Sequence, residues 1–469
     1  MNKKMQLSKK DVFFIIIALL IPVIVYFIPT PEGLTFAGQQ MIGILLMAAI
    51  LWITEPIPLP VTGLLIMIMQ PILGIAAAGD VFSSFGNQAV FFLIGAFLIT
   101  GAIEKHGLHK RIALRFLSKF ETSPKMFTFG IISSCAFLSF IMPEHGVAAL
   151  FLPIVVSILI AMKLVPRDSN FGKISMLSIA YGCSIGSLGT LIGGARNPLA
   201  VGVLSDLNIN ISFFEWMIIA VPVVLICLPI VWLILQLIFP IEIKDITKAK
   251  KEIQKQVAFQ GKISNNELKV LTILLITIVL WIFISPLPFY GLATVALIGA
   301  VMLFITGCIQ WKDIENRVPW GIILLYGGAI TLGVGMASTG AGEWIANGIF
   351  NIAGNNPIII ILVMIVFTVL LTNIMSNVAA VAILLPIGIS ILSAIDFNPL
   401  LAAMIIALSG GLAFMFVIST PGNAITYSSG YYSTKDLFKA GLFANIMCII
   451  IIFAIAIIYW MGVLKLHII

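Results

Sequence analysis

Charge is what this sequence has least of. Only 10% of its 469 residues are Asp, Glu, Lys or Arg, against roughly 25% in an average soluble protein. Hydrophobic residues make up 61%, and the mean hydropathy is +1.16. No soluble fold can hide that much apolar surface, which excludes a soluble enzyme, a nucleic-acid module and a disordered chain. Cysteine is also scarce. Cys135, Cys183, Cys227, Cys308 and Cys448 all lie in apolar stretches and read as small buried hydrophobes, not as a disulfide framework or a CxxC metal site. There is no HExxH, no P-loop GxxxxGK[ST] and no ATP-binding domain. Glu144-His145 lacks the partner of an HxxEH zinc site, because Ile141 stands where the first histidine belongs. Neither an enzyme nor a primary pump is expected.

Long apolar runs are what the sequence does have. A membrane-spanning helix needs roughly 20 mostly apolar residues. Such runs cover 11–29, 34–53, 57–79, 86–103, 213–240, 267–285, 287–309, 318–338 and 437–463. Four further apolar segments are interrupted. Residues 126–162 and 357–395 are too long for one span and carry Met142-Pro143-Glu144-His145-Gly146 and Thr372-Asn373-Ile374-Met375-Ser376-Asn377 at their middles. Residues 173–204 and 398–430 are broken by 189–198 and by Ser419-Thr420-Pro421-Gly422-Asn423. Irregular backbone at membrane depth must line a cavity or pack inside protein. The first pair therefore reads as re-entrant hairpins and the second as helices broken at the midplane. The expected fold is an all-α polytopic membrane protein of about 11 transmembrane helices plus two re-entrant hairpins.

The few charges set the orientation. Apart from Arg196 and Lys465, every Lys and Arg falls in the N-terminus or in segments 104–125, 163–173, 241–269, 310–319 and 431–440. Threading the spans in order puts all of these on one side, which the positive-inside rule makes the cytoplasm. The protein is expected in the cell membrane, with a cytoplasmic N-terminus and the C-terminus outside. The net charge of +7 then needs no nucleic-acid partner.

The two halves match at an offset of 233 residues. Ile141-Met142 falls on Ile374-Met375, Leu152-Pro153-Ile154 on Leu385-Pro386-Ile387, and Gly95-Ala96 on Gly328-Ala329. The expected organisation is an N-terminal span (1–33), a first repeat (34–240), a cytoplasmic linker (241–266) and a second repeat (267–469). Each unit holds an odd number of spans, so the repeats insert with inverted topology, a signature of secondary transporters with sites at the repeat interface. Helix ends at a break suit anions at the N–H end and small cations at the carbonyl end.

These tips and breaks resemble the divalent anion:sodium symporter family of dicarboxylate, citrate and sulfate transporters. The resemblance runs over nearly the whole chain and includes Thr54-Glu55-Pro56-Ile57-Pro58. In that family each tip carries Ser-Asn-Thr before Leu-Pro-Ile, and each break a Gly-Thr-Pro-Pro-Asn-like loop. Here Ser376-Asn377-Val378 and Ser419-Thr420-Pro421-Gly422-Asn423 keep the second copy nearly intact. The resemblance implies a sodium site from Ser376, Asn377 and neighbouring carbonyls, with Thr372 and Ser419 counted among its ligands. It places Asn377 and Thr420 near the anion. It also implies a homodimer and an elevator-type movement. The first copy departs, with Pro143-Glu144-His145 at the tip and Gly193-Gly194-Ala195-Arg196-Asn197 at the break.

Glu144 and Arg196 are ionisable groups inside the membrane, costly there and functional by default. They form either a substrate-responsive pair or a structural bridge. His145 is a candidate proton acceptor or anion donor, or a loop hydrogen-bonder. Asn197 and Asn423 either contact ligand or cap the half-helices. The expected function is secondary transport of small di- or tricarboxylates, coupled to sodium. The alternatives are proton-coupled or exchange-type anion transport, sulfate included, and an anion channel.

Overall fold

The computed structural model describes residues 8–467 except 288, 316–317 and 354–355, and among these every regular element is a helix. Lys3, Lys4 and Arg317, which belong to the basic side of the sequence reading, lie outside the described residues. The first half contributes α1 (Lys9–Phe27), α2 (Phe36–Thr54), α3 (Leu59–Ile72), α4 (Ala78–Ser83), α5 (Gln88–Lys105) and α6 (Leu108–Leu117). It continues with α7 (Pro124–Leu138), α8 (Glu144–Ala161), α9 (Asn170–Gly186), α10 (Arg196–Asp206) and α11 (Phe213–Ile238), and α12 (Thr247–Phe259) follows. The second half contributes α13 (Asn265–Phe283), α14 (Gly291–Ile305), α15 (Trp311–Glu315), α16 (Trp320–Ser338) and α17 (Ala341–Ala353). It ends with α18 (Pro357–Ile374), α19 (Asn377–Ser393), α20 (Pro399–Ser409), α21 (Pro421–Tyr427) and α22 (Thr434–Ile455), which runs on as a π-helix to Val463.

Local sequence explains where the helices start. Ser8, Ser212, Ser264 and Ser433 open α1, α11, α13 and α22 with full capping boxes, each closed by an acid three residues on. That arrangement satisfies the first free N–H groups where an apolar run begins. Proline at the first turn opens α7, α18, α20 and α21, where its missing donor costs nothing.

Among the described residues, nine helices are long and apolar enough to cross a membrane. Two expected spans are shorter. The run 57–79 forms the 14-residue α3, ended by Pro71 and by Gly74 at φ +68°, followed by α4. The run 287–309 forms the 15-residue α14. Both helices lie against others at close range. A Cβ on Gly328 of α16 would meet the Gly63 backbone of α3 at 2.4 Å, and one on Gly95 of α5 would meet Ala296 of α14 at 2.6 Å. Gly63 and Ala296, like Gly95 and Gly328, are 233 residues apart. Small residues let the helices of each pair approach closely.

The interrupted segments form a matched set. The turn 139–143 separates α7 from α8, and 375–376 separates α18 from α19. Residues 187–195 part α9 from α10, and 410–420 part α20 from α21. At 1.5 Å per residue, the 11 residues of α10 and the 7 of α21 rise about 16 and 10 Å. Neither crosses a hydrocarbon core of about 30 Å alone. Each packs on the opposite half of the chain: α10 on α19 and α20, α21 on α8 and α9. The two breaks and two turns are thereby drawn to one place.

Candidate functional site

A cavity of about 520 Å³ lies where the turns and breaks meet. Glu144 and His145 line it from the first turn, and Arg196 from the first break. Ser376 and Asn377 come from the second turn, and Ser419 and Thr420 from the second break. The cavity extends to Glu55, between α2 and α3, and to Pro319, before α16. Three expected site residues, Thr372, Asn197 and Asn423, are fully buried and do not line it.

Asn197 and Asn423 perform the same task in the two halves. The side-chain amide of Asn197 donates to the carbonyls of Ser187 at 2.8 Å and Thr190 at 2.7 Å. That of Asn423 donates to Ala413 at 3.0 Å and Phe416 at 2.9 Å. In both, the acceptors lie ten and seven residues earlier. A broken helix frees carbonyls that must find donors away from water, and these two amides supply them.

Arg196 is 1% exposed, and its guanidinium joins both halves. Nε donates to the Ala407 carbonyl near the C-terminal end of α20, at 3.2 Å, and Nη2 donates to Ser187 Oγ at 2.7 Å. Nη1 stands 3.8 Å from Glu144 Oε2. The fork fits only because its neighbours lack side chains. A Cβ on Gly411 would meet Nη2 at 2.3 Å, and one on Gly194 would meet Nη1 at 2.7 Å. Ser187 mediates between the charges. It accepts from Arg196, and its one proton can go to Glu144 Oε2 at 2.8 Å or to the Ser184 carbonyl at 2.7 Å. The first turn is held to its break, with the Glu144 amide donating to the Gly193 carbonyl at 3.1 Å and Thr190 Oγ1 to Phe140 O at 2.8 Å.

The second turn carries no charged side chain. Thr372 Oγ1 donates to Asn377 Oδ1 at 2.8 Å or to the Gly410 carbonyl at 2.7 Å. When that hydroxyl donates to Gly410, its oxygen can accept from the Asn377 amide nitrogen, so either end of the amide can face it. Ser419 Oγ donates to the Asn373 carbonyl at 2.7 Å, and Asn373 Oδ1 accepts from the Met415 amide at 2.8 Å. Thr420 caps α21, its Oγ1 accepting from the Asn423 amide at 3.1 Å. The cluster is thus rich in hydroxyl, amide and carbonyl oxygens, the hard donors that suit an alkali cation. Asn377 and Arg196 are the lining residues that carry N–H groups suited to an anion.

Sequence reasoning missed Ser187, Asn373 and the two glycines beside Arg196. Ser187 and Asn373 are common residues in apolar surroundings. Gly411 is 215 positions from Arg196, so no local signal marks it.

Comparison with known proteins bears on the whole chain. Residues 9–466 match the family of the sodium:sulfate symporter transmembrane region. A sodium-dependent dicarboxylate transporter of Staphylococcus saprophyticus is 31% identical over 450 residues, covering 90% of this chain and 86% of that protein. The sodium-dependent dicarboxylate transporter of Staphylococcus aureus strain USA300 is 29% identical over 447 residues, with the same coverage. Among solved structures, MtrF of Neisseria gonorrhoeae, from a class of antimetabolite efflux pumps, has a TM-score of 0.58 at 12% identity. The match covers 98% of this chain and 96% of that one. That likeness is one of fold alone.

Proposed function

This chain belongs to the sodium:sulfate symporter family, and from that premise we propose that it is a sodium-coupled transporter of small dicarboxylates in the cell membrane. One observation carries the reading beyond the family match. The cavity brings Asn377, from the second half, and Arg196, from the first, into the lining of one chamber. A dicarboxylate has two anionic ends, and both residues carry N–H donors. Sodium is carried with it, held by oxygens of Ser376 and Asn377 with Thr372 and Ser419 behind them. The sodium-dependent dicarboxylate transporters at about 30% identity support the same choice of ion and anion.

In this reading α7–α8 and α18–α19 are re-entrant hairpins, and α9–α10 and α20–α21 count as one broken span each, which gives eleven spans. The halves 34–240 and 267–469 are inverted repeats around the linker 241–266. The recurring Asn bonds and the glycine contacts at matched positions support this. The basic side is cytoplasmic and the C-terminus lies outside. The protein is a homodimer whose hairpin-bearing body moves as an elevator. Glu144 holds Arg196 when the cavity is empty, and a substrate carboxylate competes for the planar fork, which favours bidentate pairing. Arg196 stands in for one sodium ion of the family, because a guanidinium keeps its charge.

The test is counterflow in proteoliposomes with labelled dicarboxylates, citrate and sulfate, with and without sodium. Dicarboxylate uptake that requires sodium, with a Hill coefficient no higher than two, is expected, and Asn377→Ala abolishes it. The fixed charge of Arg196 favours one other reading, sodium-independent exchange. Equal counterflow without sodium would establish that reading in place of symport.

A further inference from the structure

The basic face of the molecule carries a second feature, remote from the cavity. Helix α12 connects α11 to α13, two helices long and apolar enough to span a membrane. It therefore lies outside the spans, on the side where α11 ends and α13 begins. Only Ala249 and Ile253 of α12 are buried, where it packs on α6 and α8. The rest of its surface carries exposed lysines at 248, 250, 251 and 255, and α6 adds exposed Lys110 and Arg115 beside it. Exposed Asp245 stands before α12 and accepts from Thr247; the other nearby acids are Glu121 and Glu252. Both are half-buried, and Glu252 accepts from the Gln256 amide at 3.1 Å. The exposed charge on this face is thus strongly positive.

Between α6 and α12 lies a groove of about 210 Å³ lined by Lys110, Lys255, Gln256 and Phe259, with Glu252 and Gln260 completing it. Phe259 is 89% exposed, and Ile263, four residues on, is 41% exposed. A phenyl ring so placed in water gains nothing, but at a bilayer surface it enters the boundary between headgroups and acyl chains. Lys255 and Phe259 are four residues apart on one face of α12, so a charge and a ring are presented together, and clustered lysines at a bilayer surface attract anionic lipid.

We propose that this groove binds the headgroup of an anionic phospholipid of the surrounding bilayer, with Lys110 and Lys255 against the phosphate and Phe259 among the acyl chains. The site also bears on the transporting body. Gln256, in the groove wall, donates to Ser157 Oγ of α8 at 2.7 Å. An occupied groove therefore braces α12 against the helix whose first residue, Glu144, lines the cavity. None of this rests on which anion is carried.

The test uses the full chain purified in detergent, with added phosphatidylglycerol or phosphatidylcholine, and reads retained lipid by native mass spectrometry together with the thermal shift. Wild type is expected to retain phosphatidylglycerol in preference to phosphatidylcholine. Lys110→Gln/Lys255→Gln is expected to weaken that retention about thirtyfold. Lys435→Gln/Lys439→Gln removes the same charge from exposed positions on the same face, outside the groove, and is expected to leave retention unchanged. Phe259→Ala lowers lipid retention as well. Melting in phosphatidylcholine alone separates loss of lipid from loss of fold. Equal retention of the two lipids by wild type, or unchanged retention in the groove variant, overturns the proposal. So does a thermal shift that inorganic phosphate reproduces in full, because the groove would then read phosphate and not a lipid.

Discussion

Arg196 makes hydrogen bonds to both halves of the chain and keeps one nitrogen toward the cavity. Two of its donors are fixed by the Ala407 carbonyl and Ser187. The third faces Glu144 at 3.8 Å, too long for a direct hydrogen bond. This geometry makes a bridge through Nε and Nη2, and in the proposed function Nη1 is the anion donor. Removing the guanidinium alone leaves Glu144 and the Ala407 carbonyl without it, and breaking a buried ion pair costs about 3–5 kcal/mol. Arg196→Ala is therefore expected to express poorly and melt early, and adding Glu144→Gln to restore a stable protein. In that double variant anion affinity, measured by isothermal titration, is expected to fall. Lysine at 196 offers a point charge in place of a fork, so it cannot serve Ala407, Ser187 and the anion together. A double variant that transports at the wild-type rate removes Arg196 from the substrate site.

At the scale of the element, the broken helices depend on two asparagines that the sequence marks but does not explain. Each closes its break with two hydrogen bonds to carbonyls. A buried acceptor left without its partner costs about 1–3 kcal/mol. Asn197→Ala or Asn423→Ala is accordingly expected to lower the melting temperature strongly. The substrate affinity of the surviving folded fraction stays near wild type, because neither side chain lines the cavity. A large rise in KM with unchanged melting would make them ligands instead. Short elements also account for the spans that fall below length. Helices α3 and α14 pass at close range beside α16 and α5, where Gly328 and Gly95 remove the side chain that would hold them apart.

At the scale of the whole molecule, the cavity and a contact between α5 and α10 are joined by the same two helices. The cavity reaches Glu55 and Pro319. Outside the cavity lining Asn87, which caps α5, donates to Asp206 Oδ1 at 2.9 Å and to the Gly202 carbonyl of α10 at 3.1 Å. Gly202 allows that approach, since a Cβ there would stand 2.8 Å from Ala89. If the hairpin-bearing body slides past α5, this contact must part in every cycle. Asn87→Cys combined with Asp206→Cys is expected to form a disulfide under mild oxidation that stops transport, with activity returned by a reductant. The five native cysteines are buried and leave that reading clean. Undiminished transport in the cross-linked protein would rule out separation of α5 from α10.

Hydropathy and proline–glycine punctuation alone determined the membrane class and the positions of the four interrupted segments. These are properties of consecutive residues, and a lipid solvent enforces them on every segment that enters it. Ser376, Asn377, Ser419 and Thr420 stand in two short motifs that the family resemblance marks, and the fold brings all four to one cavity. What needed the tertiary structure was the partnership between distant positions. That Asn197 and Asn423 close their breaks from behind the cavity was left open by sequence, since a capping amide and a ligand amide look alike there. That Arg196 reaches across to Ala407 and is housed by Gly411 follows from α10 packing on α20, a contact between residues more than 200 apart. Local propensity cannot encode such contacts, because they exist only when both halves are folded against each other.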